Sequence, residues 1–95
     1  MKVYWTDKAV ENLEAIYAYI AQNSPQYADR AIDRIIDRSE QLANFPFSGR
    51  IVPEIRREDT RELIEGSYRI IYYVSSEQID VLAVIHGSKR LTLPE

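Results

Sequence analysis

Residues 61–90 constrain the fold more than any other part of the chain. They hold three short runs rich in β-branched and aromatic side chains. Gly66-Ser67 separates the first two runs, and residues 75–78 separate the last two. Each separator is short enough to force a hairpin. The pattern therefore predicts an antiparallel meander in the second half of the chain.

The turn lengths also predict the register of this meander. A two-residue first turn places Leu63 opposite Ile70, and a four-residue second turn places Val74 opposite Ile79. The predicted core face comprises Leu63, Tyr68, Ile70, Tyr72, Val74, Ile79, Val81, Ala83 and Ile85. The predicted second face comprises Ile64, Arg69, Ile71, Tyr73, Asp80, Leu82, Val84 and His86. This second face is too apolar for a bare solvated surface and too charged for a buried one, so we interpret it as an open binding surface.

The first half of the chain predicts a short strand and two helices. Residues 2–5 form the strand, and Thr6 can cap a helix that continues to about Ala21. Ser24-Pro25 breaks this helix and begins the next. The apolar stripes recur at helical spacing and comprise Val10, Leu13, Ile16, Tyr17 and Ile20 in the first helix, then Ala28, Ala31, Ile32, Ile35, Ile36, Ser39 and Leu42 in the second. Because the break is short, the helices form an antiparallel hairpin.

Residues 44–59 show no regular period. A long connection in a compact domain is usually packed down, so Phe45 and Phe47 are expected to fill the core. Arg50 and Glu54 can pair with each other or with the sheet. The residues to which we assign a structural role in this loop are Phe45, Pro46, Gly49, Arg50 and Glu54.

This element order predicts an α+β fold in one domain spanning residues 1–95. An N-terminal strand and an antiparallel helical hairpin pack on a mainly antiparallel four-stranded sheet. The position of the first strand in that sheet stays open.

Composition excludes several classes of protein. The net charge is −3, whereas proteins that bind nucleic acid over an extended surface usually carry a basic excess. The basic segment 86–90 still leaves room for a small local patch. There is no cysteine, no apolar run of membrane-spanning length and no basic-then-apolar leader. We therefore expect a cytoplasmic protein with no membrane partner.

The sequence shows no metal-ligand cluster, phosphate-binding glycine loop or nucleophile triad, so we expect no metal and no cofactor. The remaining candidate catalytic residues are Arg61, Arg69, His86, Lys89 and Arg90. Such a group can cleave RNA without a metal, because a base takes the 2′-hydroxyl proton while cations stabilise the charge on phosphorus. The alternative is structural: His86 caps the last strand, and the arginines pair with Glu62, Glu65 or Asp80.

Three segments, residues 45–54, 61–72 and 84–90, resemble the ParE branch of the RelE/ParE toxin superfamily. Chain length and element order are similar too. The resemblance implies the RelE/ParE-like fold and the toxin of a bacterial type II toxin-antitoxin (plasmid stabilisation) system. It also implies growth inhibition, and a cognate antitoxin that covers the helical hairpin and the sheet in a hetero-oligomer. The candidate antitoxin-binding residues are Trp5, Leu13, Tyr17, Ile20, Tyr27 and Ile35.

Two kinds of target follow from the resemblance. ParE-like members inhibit DNA gyrase, whereas RelE-like members cleave messenger RNA on the ribosome with several basic side chains and often a C-terminal aromatic. Here residues 91–95 carry no aromatic, lysine is scarce in the second half and the net charge is acidic, which weakens the ribonuclease alternative. Gyrase as the target is implied only by the closer likeness to the ParE branch. The candidate target-binding residues are Arg69, Tyr73, His86, Lys89 and Arg90. A third hypothesis is a non-toxic binding module of the same fold.

Overall fold

The computed structural model describes residues 1–91. Its strands are β1 (Lys2–Trp5), β2 (Arg50–Ile51), β3 (Thr60–Glu65), β4 (Tyr68–Val74) and β5 (Gln78–His86). Its helices are α1 (Asp7–Ala21) and α2 (Pro25–Glu40), and a 3₁₀ turn follows at Gln41–Ala43. The predicted α+β class, with a strand and a helical hairpin ahead of the meander, is confirmed.

Both helices begin where the sequence predicts. The hydroxyl of Thr6 accepts a hydrogen bond from the Ala9 amide at 3.2 Å, and the hydroxyl of Ser24 accepts one from the Tyr27 amide at 3.2 Å. Each bond satisfies an amide that has no partner inside the helix. Pro25 is the first residue of α2, where its missing amide hydrogen costs nothing.

Within residues 1–91 the sheet has five strands in the order β1-β5-β4-β3-β2. β1 lies parallel to β5, and the other neighbours are antiparallel. The prediction of four strands was therefore one strand short. A two-residue strand such as β2 is too short to show an alternating pattern, so periodicity could not reveal it.

An irregularity in β5 changes which of its side chains lie on each face of the sheet, compared with the prediction. Leu63 pairs with Ile70 and Val74 pairs with Ile79, as predicted. However, the register shifts between Ile71 and Tyr72 of β4, which leaves an extra residue in β5. Because side chains alternate with a period of two, one extra residue exchanges the faces of everything beyond it.

The exchange moves the C-terminal half of β5. Val84, instead of Ala83 and Ile85, joins the core at 2% exposure. Ile85 now pairs with Arg69, and His86 pairs with Tyr68 on the side that the helices cover. The prediction that Arg69 and His86 share one sheet face was therefore wrong.

The core lies between the helical hairpin and one face of the sheet. Its buried members are Ala9, Ile35, Leu42, Leu63, Ile70, Tyr72, Val74, Ile79, Val81 and Val84. The expectation that Phe45 and Phe47 fill the core was wrong, because their side chains are 65% and 56% exposed. Both lie in a surface turn that the Ser48 amide closes by donating to the Phe45 carbonyl at 3.1 Å.

Neither helix within residues 1–91 has the length and apolar character needed to cross a membrane.

Candidate functional site

Arg69 lies at the centre of a buried network of ion pairs on the sheet face away from the helices. Its Nε donates to Glu62 at 2.7 Å, and its two terminal nitrogens donate to the two oxygens of Glu54 at 2.9 and 2.7 Å. Arg50 donates to the second oxygen of Glu62. We call Arg50, Glu54, Glu62 and Arg69 the acid–arginine network. The structural alternative for the arginines, in which they pair with acidic residues such as Glu62, therefore holds for Arg69.

The network fixes the charge of its members. The hydrogen bonds from Arg69 lower the pKa of Glu54 from 4.5 to about 2, and the Leu91 amide contributes to the same shift. The Glu54 carboxylate in turn raises the pKa of Arg69. Arg69 is 5% exposed, and the side chain of Glu62 is fully buried. Arg69 is therefore a permanently charged group whose charge is matched by two carboxylates inside the protein.

The same residues hold the chain beyond β5 against the sheet. Arg69 donates to the Lys89 carbonyl at 3.2 Å, and the Leu91 amide donates to Glu54 at 2.9 Å. Val52 lies in the same loop, just before Glu54 in the sequence, and its side chain is fully buried. The face predicted to be open is therefore covered around Arg69. The absence of an aromatic in residues 91–95 was one argument against the RelE-like branch. Of these residues, 92–95 lie outside the part of the chain that the structure describes.

His86 is exposed and lies at the end of β5. Its Nδ1 accepts a hydrogen bond from the Ser88 amide at 3.2 Å and lies 2.7 Å from the Ser88 hydroxyl. Its ring meets the ring of Tyr68 edge to face, with the centroids 5.8 Å apart. Because an amide can only donate, Nδ1 is the acceptor of the hydrogen bond from the Ser88 amide.

The five candidate catalytic residues do not meet at one place. Arg69 is buried on one sheet face, while His86 is on the other. Arg61 lies at the β2–β3 edge, where it donates to the Gly49 carbonyl at 3.0 Å. Lys89 and Arg90 are exposed after the last strand.

Of these residues, His86 and Lys89 line a groove of about 520 Å³ between α1 and the ends of β4 and β5. Ile16, Tyr19 and Tyr68 provide its apolar walls. Tyr73, the remaining target-binding candidate, is half-buried opposite Asp80 in the sheet.

The antitoxin-binding candidates differ in how far a partner can reach them. Tyr17 and Tyr27 are 38% and 66% exposed, and Ile20 is half-buried. Trp5 and Leu13 pack partly against the core. Ile35 is a correction, because it is 1% exposed and belongs to the core.

Sequence reasoning missed one exposed aromatic in the groove. Tyr19 is 71% exposed, and it lies outside the apolar stripe from which the candidates were drawn. The sequence signal that could have revealed Tyr19 is an aromatic residue on the polar side of an amphipathic helix.

Gly49 explains how the loop reaches the sheet. Its amide donates to the Tyr72 hydroxyl at 2.9 Å. A Cβ atom at this position would lie 2.5 Å from the Glu62 carbonyl oxygen and 2.6 Å from the Tyr72 hydroxyl. Only a residue without a side chain fits here, so Gly49 sets the entry of the chain into β2 beside the acid–arginine network.

Similar proteins and solved structures match most of the chain. "Putative toxin Y4kP" of Sinorhizobium fredii is 34% identical over 90 residues, which cover 94% of this chain and 91% of that protein. "Toxin RelE2" of Caulobacter vibrioides is 32% identical over 88 residues, which cover 93% and 97%. A solved structure of the chromosomal ParDE toxin-antitoxin system from P. aeruginosa superimposes with a TM-score of 0.75 at 26% identity, over 90% of this chain and 95% of that one.

The toxin-antitoxin complex RelBE2 of Mycobacterium tuberculosis shares the fold, with a TM-score of 0.60 at 22% identity over 90% of this chain and 95% of that one. The family described as "ParE toxin of type II toxin-antitoxin system, parDE" matches residues 3–91. This chain belongs to the ParE toxin family of type II toxin-antitoxin systems.

Proposed function

We propose that this toxin acts in the cytoplasm by binding a protein target, DNA gyrase, and so stops replication. A cognate antitoxin neutralises it in a hetero-oligomer. Family membership supports the class of target, since the family is that of ParE toxins. The observation that carries the mechanism is the burial of Arg69 between Glu54 and Glu62.

Metal-independent RNA cleavage needs a base close to cations that are free to bind the phosphate. Arg69 does not supply such a cation, because its guanidinium is already paired with the carboxylates of Glu54 and Glu62. His86 lies on the opposite face of the sheet. His86 and Lys89 line one groove, and Lys89 and Arg90 line a smaller pocket beside it, but neither is lined by Arg61 or Arg69. This geometry favours inhibition by binding over catalysis.

The surface of the helical hairpin supports an antitoxin partner. Tyr17, Tyr19 and Tyr27 are large aromatic side chains that α1 and α2 leave exposed. Exposed aromatic side chains commonly anchor a partner segment that folds on binding. The solved structures that resemble this chain are of a ParDE system and a RelBE2 complex.

A ribonuclease is the second candidate, and two observations favour it. Two of the similar proteins carry the names RelE2 and RelE3. His86 and Lys89 are also exposed side by side at the groove. In this alternative Lys89 binds the phosphate and His86 transfers the proton.

Pulsed expression in bacteria that lack the antitoxin tests the proposal. Incorporation of labelled thymidine and of labelled methionine is followed over the first minutes. We expect thymidine incorporation to fail first and the cells to filament. Earlier loss of methionine incorporation would support the ribonuclease instead, and uninterrupted growth would support a non-toxic binding module.

A further inference from the structure

Two large apolar side chains are exposed at the β2–β3 edge of the sheet, and a third is exposed in the turn that precedes β2. Phe45 is 65%, Phe47 56% and Ile51 39% exposed. Ile51 pairs with Arg61 across the two strands, so these two side chains share one face. We call Phe47, Ile51 and Arg61 the edge patch. A small protein rarely groups apolar side chains on its surface without a partner for them.

Arg61 is held in position without a carboxylate. Its Nε donates to the Glu58 carbonyl at 2.9 Å, and its Nη1 donates to the Gly49 carbonyl at 3.0 Å. The guanidinium carbon lies 5.0 Å from the centroid of the Phe47 ring, within the range of a cation–π contact. Backbone carbonyls and an aromatic ring orient this side chain but leave its charge unmatched.

This arrangement differs from that of three arginines in the same region. Arg50, Arg57 and Arg69 each form an ion pair with a carboxylate. None of the ion pairs within residues 1–91 involves Arg61. An arginine that is already ordered and still has free donors loses little entropy when it binds a carboxylate from another molecule.

We propose that the edge patch is the surface through which this toxin docks on its protein target, and that it receives a segment with an acidic side chain beside an apolar one. Arginine and aromatic residues dominate the binding energy of protein interfaces. The carboxylate matches the free charge of Arg61, and the apolar side chain covers Phe47 and Ile51. This inference rests on the proposed function, because it assumes that the target is a protein.

Charge in the surroundings favours a protein over a nucleic acid. The chain carries a net charge of −3. Glu58 is exposed just before Arg61, and Asp59 pairs with Arg57 at 2.7 Å. Phosphate backbones require several free cations along their path, whereas one carboxylate needs one.

The edge patch is also separate from the groove that contains Tyr19. The groove lies between α1 and the ends of β4 and β5, whereas the patch lies at β2, the outermost strand on the other side of the sheet. A partner in the groove and a partner on the patch therefore contact different parts of the sheet.

The test compares Arg61→Glu and Phe47→Ala with Arg30→Glu, a charge reversal at an exposed arginine of α2. Supercoiling by purified gyrase is titrated with each purified toxin, and antitoxin binding is measured by calorimetry. We expect the inhibitory concentration to rise at least about tenfold for Arg61→Glu, which corresponds to about 1.4 kcal/mol, and several-fold for Phe47→Ala, because arginine and aromatic anchors dominate interface energies. Antitoxin affinity of the two patch variants stays within about twofold, and Arg30→Glu matches the wild type in the supercoiling assay.

Thermal melting followed by circular dichroism shows whether each variant folds. Phe47→Ala keeps the proposal testable if Arg61→Glu does not fold, because the Phe47 side chain is mostly exposed. Wild-type inhibition by a folded Arg61→Glu or Phe47→Ala variant would overturn the inference. An equal loss of antitoxin binding would overturn it too, because the patch would then belong to the antitoxin.

A failure of the proposed function gives a different result. If the wild-type toxin arrests growth without inhibiting gyrase, the gyrase proposal fails while the edge patch remains testable by growth arrest with the same variants. Growth arrest by folded Arg61→Glu at the wild-type inducer level would then overturn the patch. Loss of arrest together with loss of binding to an RNA probe would also overturn it, in favour of a nucleic-acid surface.

Discussion

Replacing Arg69 by methionine is expected to destabilise the fold strongly. The change keeps much of the aliphatic chain but removes every hydrogen bond that Arg69 donates to Glu54 and Glu62. The Glu62 side chain is fully buried, and it would keep only the bond from Arg50, whose own side chain is 60% exposed. Leaving a buried carboxylate without its main partner costs about 3–5 kcal/mol.

This cost is large for a chain of this size. Small domains are stable by about 5–15 kcal/mol in total, and each kcal/mol shifts the melting temperature by about 4–8 °C. We therefore expect Arg69→Met to melt at least about 12 °C below the wild type. Urea unfolding at pH 7, followed by circular dichroism, gives the free energy directly.

A double-mutant cycle separates the ion pair from simple loss of packing. Glu62→Gln combined with Arg69→Met removes both charges, so the pair should cost less than the sum of the single changes. Arg57→Met is the matched control, because Arg57 pairs with Asp59 at the surface with 65% of its side chain exposed. We expect Arg57→Met to have the same melting temperature as the wild type.

One result would refute this structural role for Arg69. If Arg69→Met unfolds at the wild-type urea concentration and yet fails to arrest growth, Arg69 acts on the target or on RNA. The acid–arginine network would then be incidental to folding.

Three further predictions follow. The folded pKa of Glu54 is about 2, below its usual 4.5, so its ionised form stabilises the protein above pH 4.5 and this contribution is lost as the pH falls toward 2. Urea midpoints measured from pH 6 to pH 2 should fall less steeply for Glu54→Gln than for the wild type, and parallel curves would contradict the pairing with Arg69. Gly49→Ala should cost at least about 1–3 kcal/mol in urea unfolding, because the new Cβ would lie 2.5 Å from the Glu62 carbonyl oxygen; an unchanged midpoint would contradict the close packing. Tyr27→Ala, at a side chain 66% exposed, should leave the melting temperature unchanged and weaken antitoxin binding about tenfold in calorimetry, and unchanged affinity would remove Tyr27 from that interface.

The part of the fold that local sequence rules govern could be predicted from the sequence. The Gly66-Ser67 turn and the caps at Thr6 and Ser24 act over a few residues, so both the β3–β4 register and the helix starts follow from them. The irregularity in β5 could not be predicted, because no glycine or proline marks it in residues 78–86. It decides which face His86 occupies, and the predicted catalytic group depended on that face.

Two other errors have a common physical cause. Strand alternation placed Arg69 on the correct side of β4 but could not reveal that Glu54, 15 residues away, would cover it. The exposure of Phe45 and Phe47 was missed because apolar composition indicates burial only on average. In both cases the outcome depends on how residues 44–59 cross the sheet edge, and no sequence period describes that path.

The most direct test of inhibition by binding is supercoiling of plasmid DNA by purified gyrase in a system free of ribosomes and RNA. We expect the purified toxin to inhibit supercoiling and the antitoxin to restore it. Undisturbed supercoiling, together with cleavage of messenger RNA by the same toxin preparation on purified ribosomes, would contradict the account.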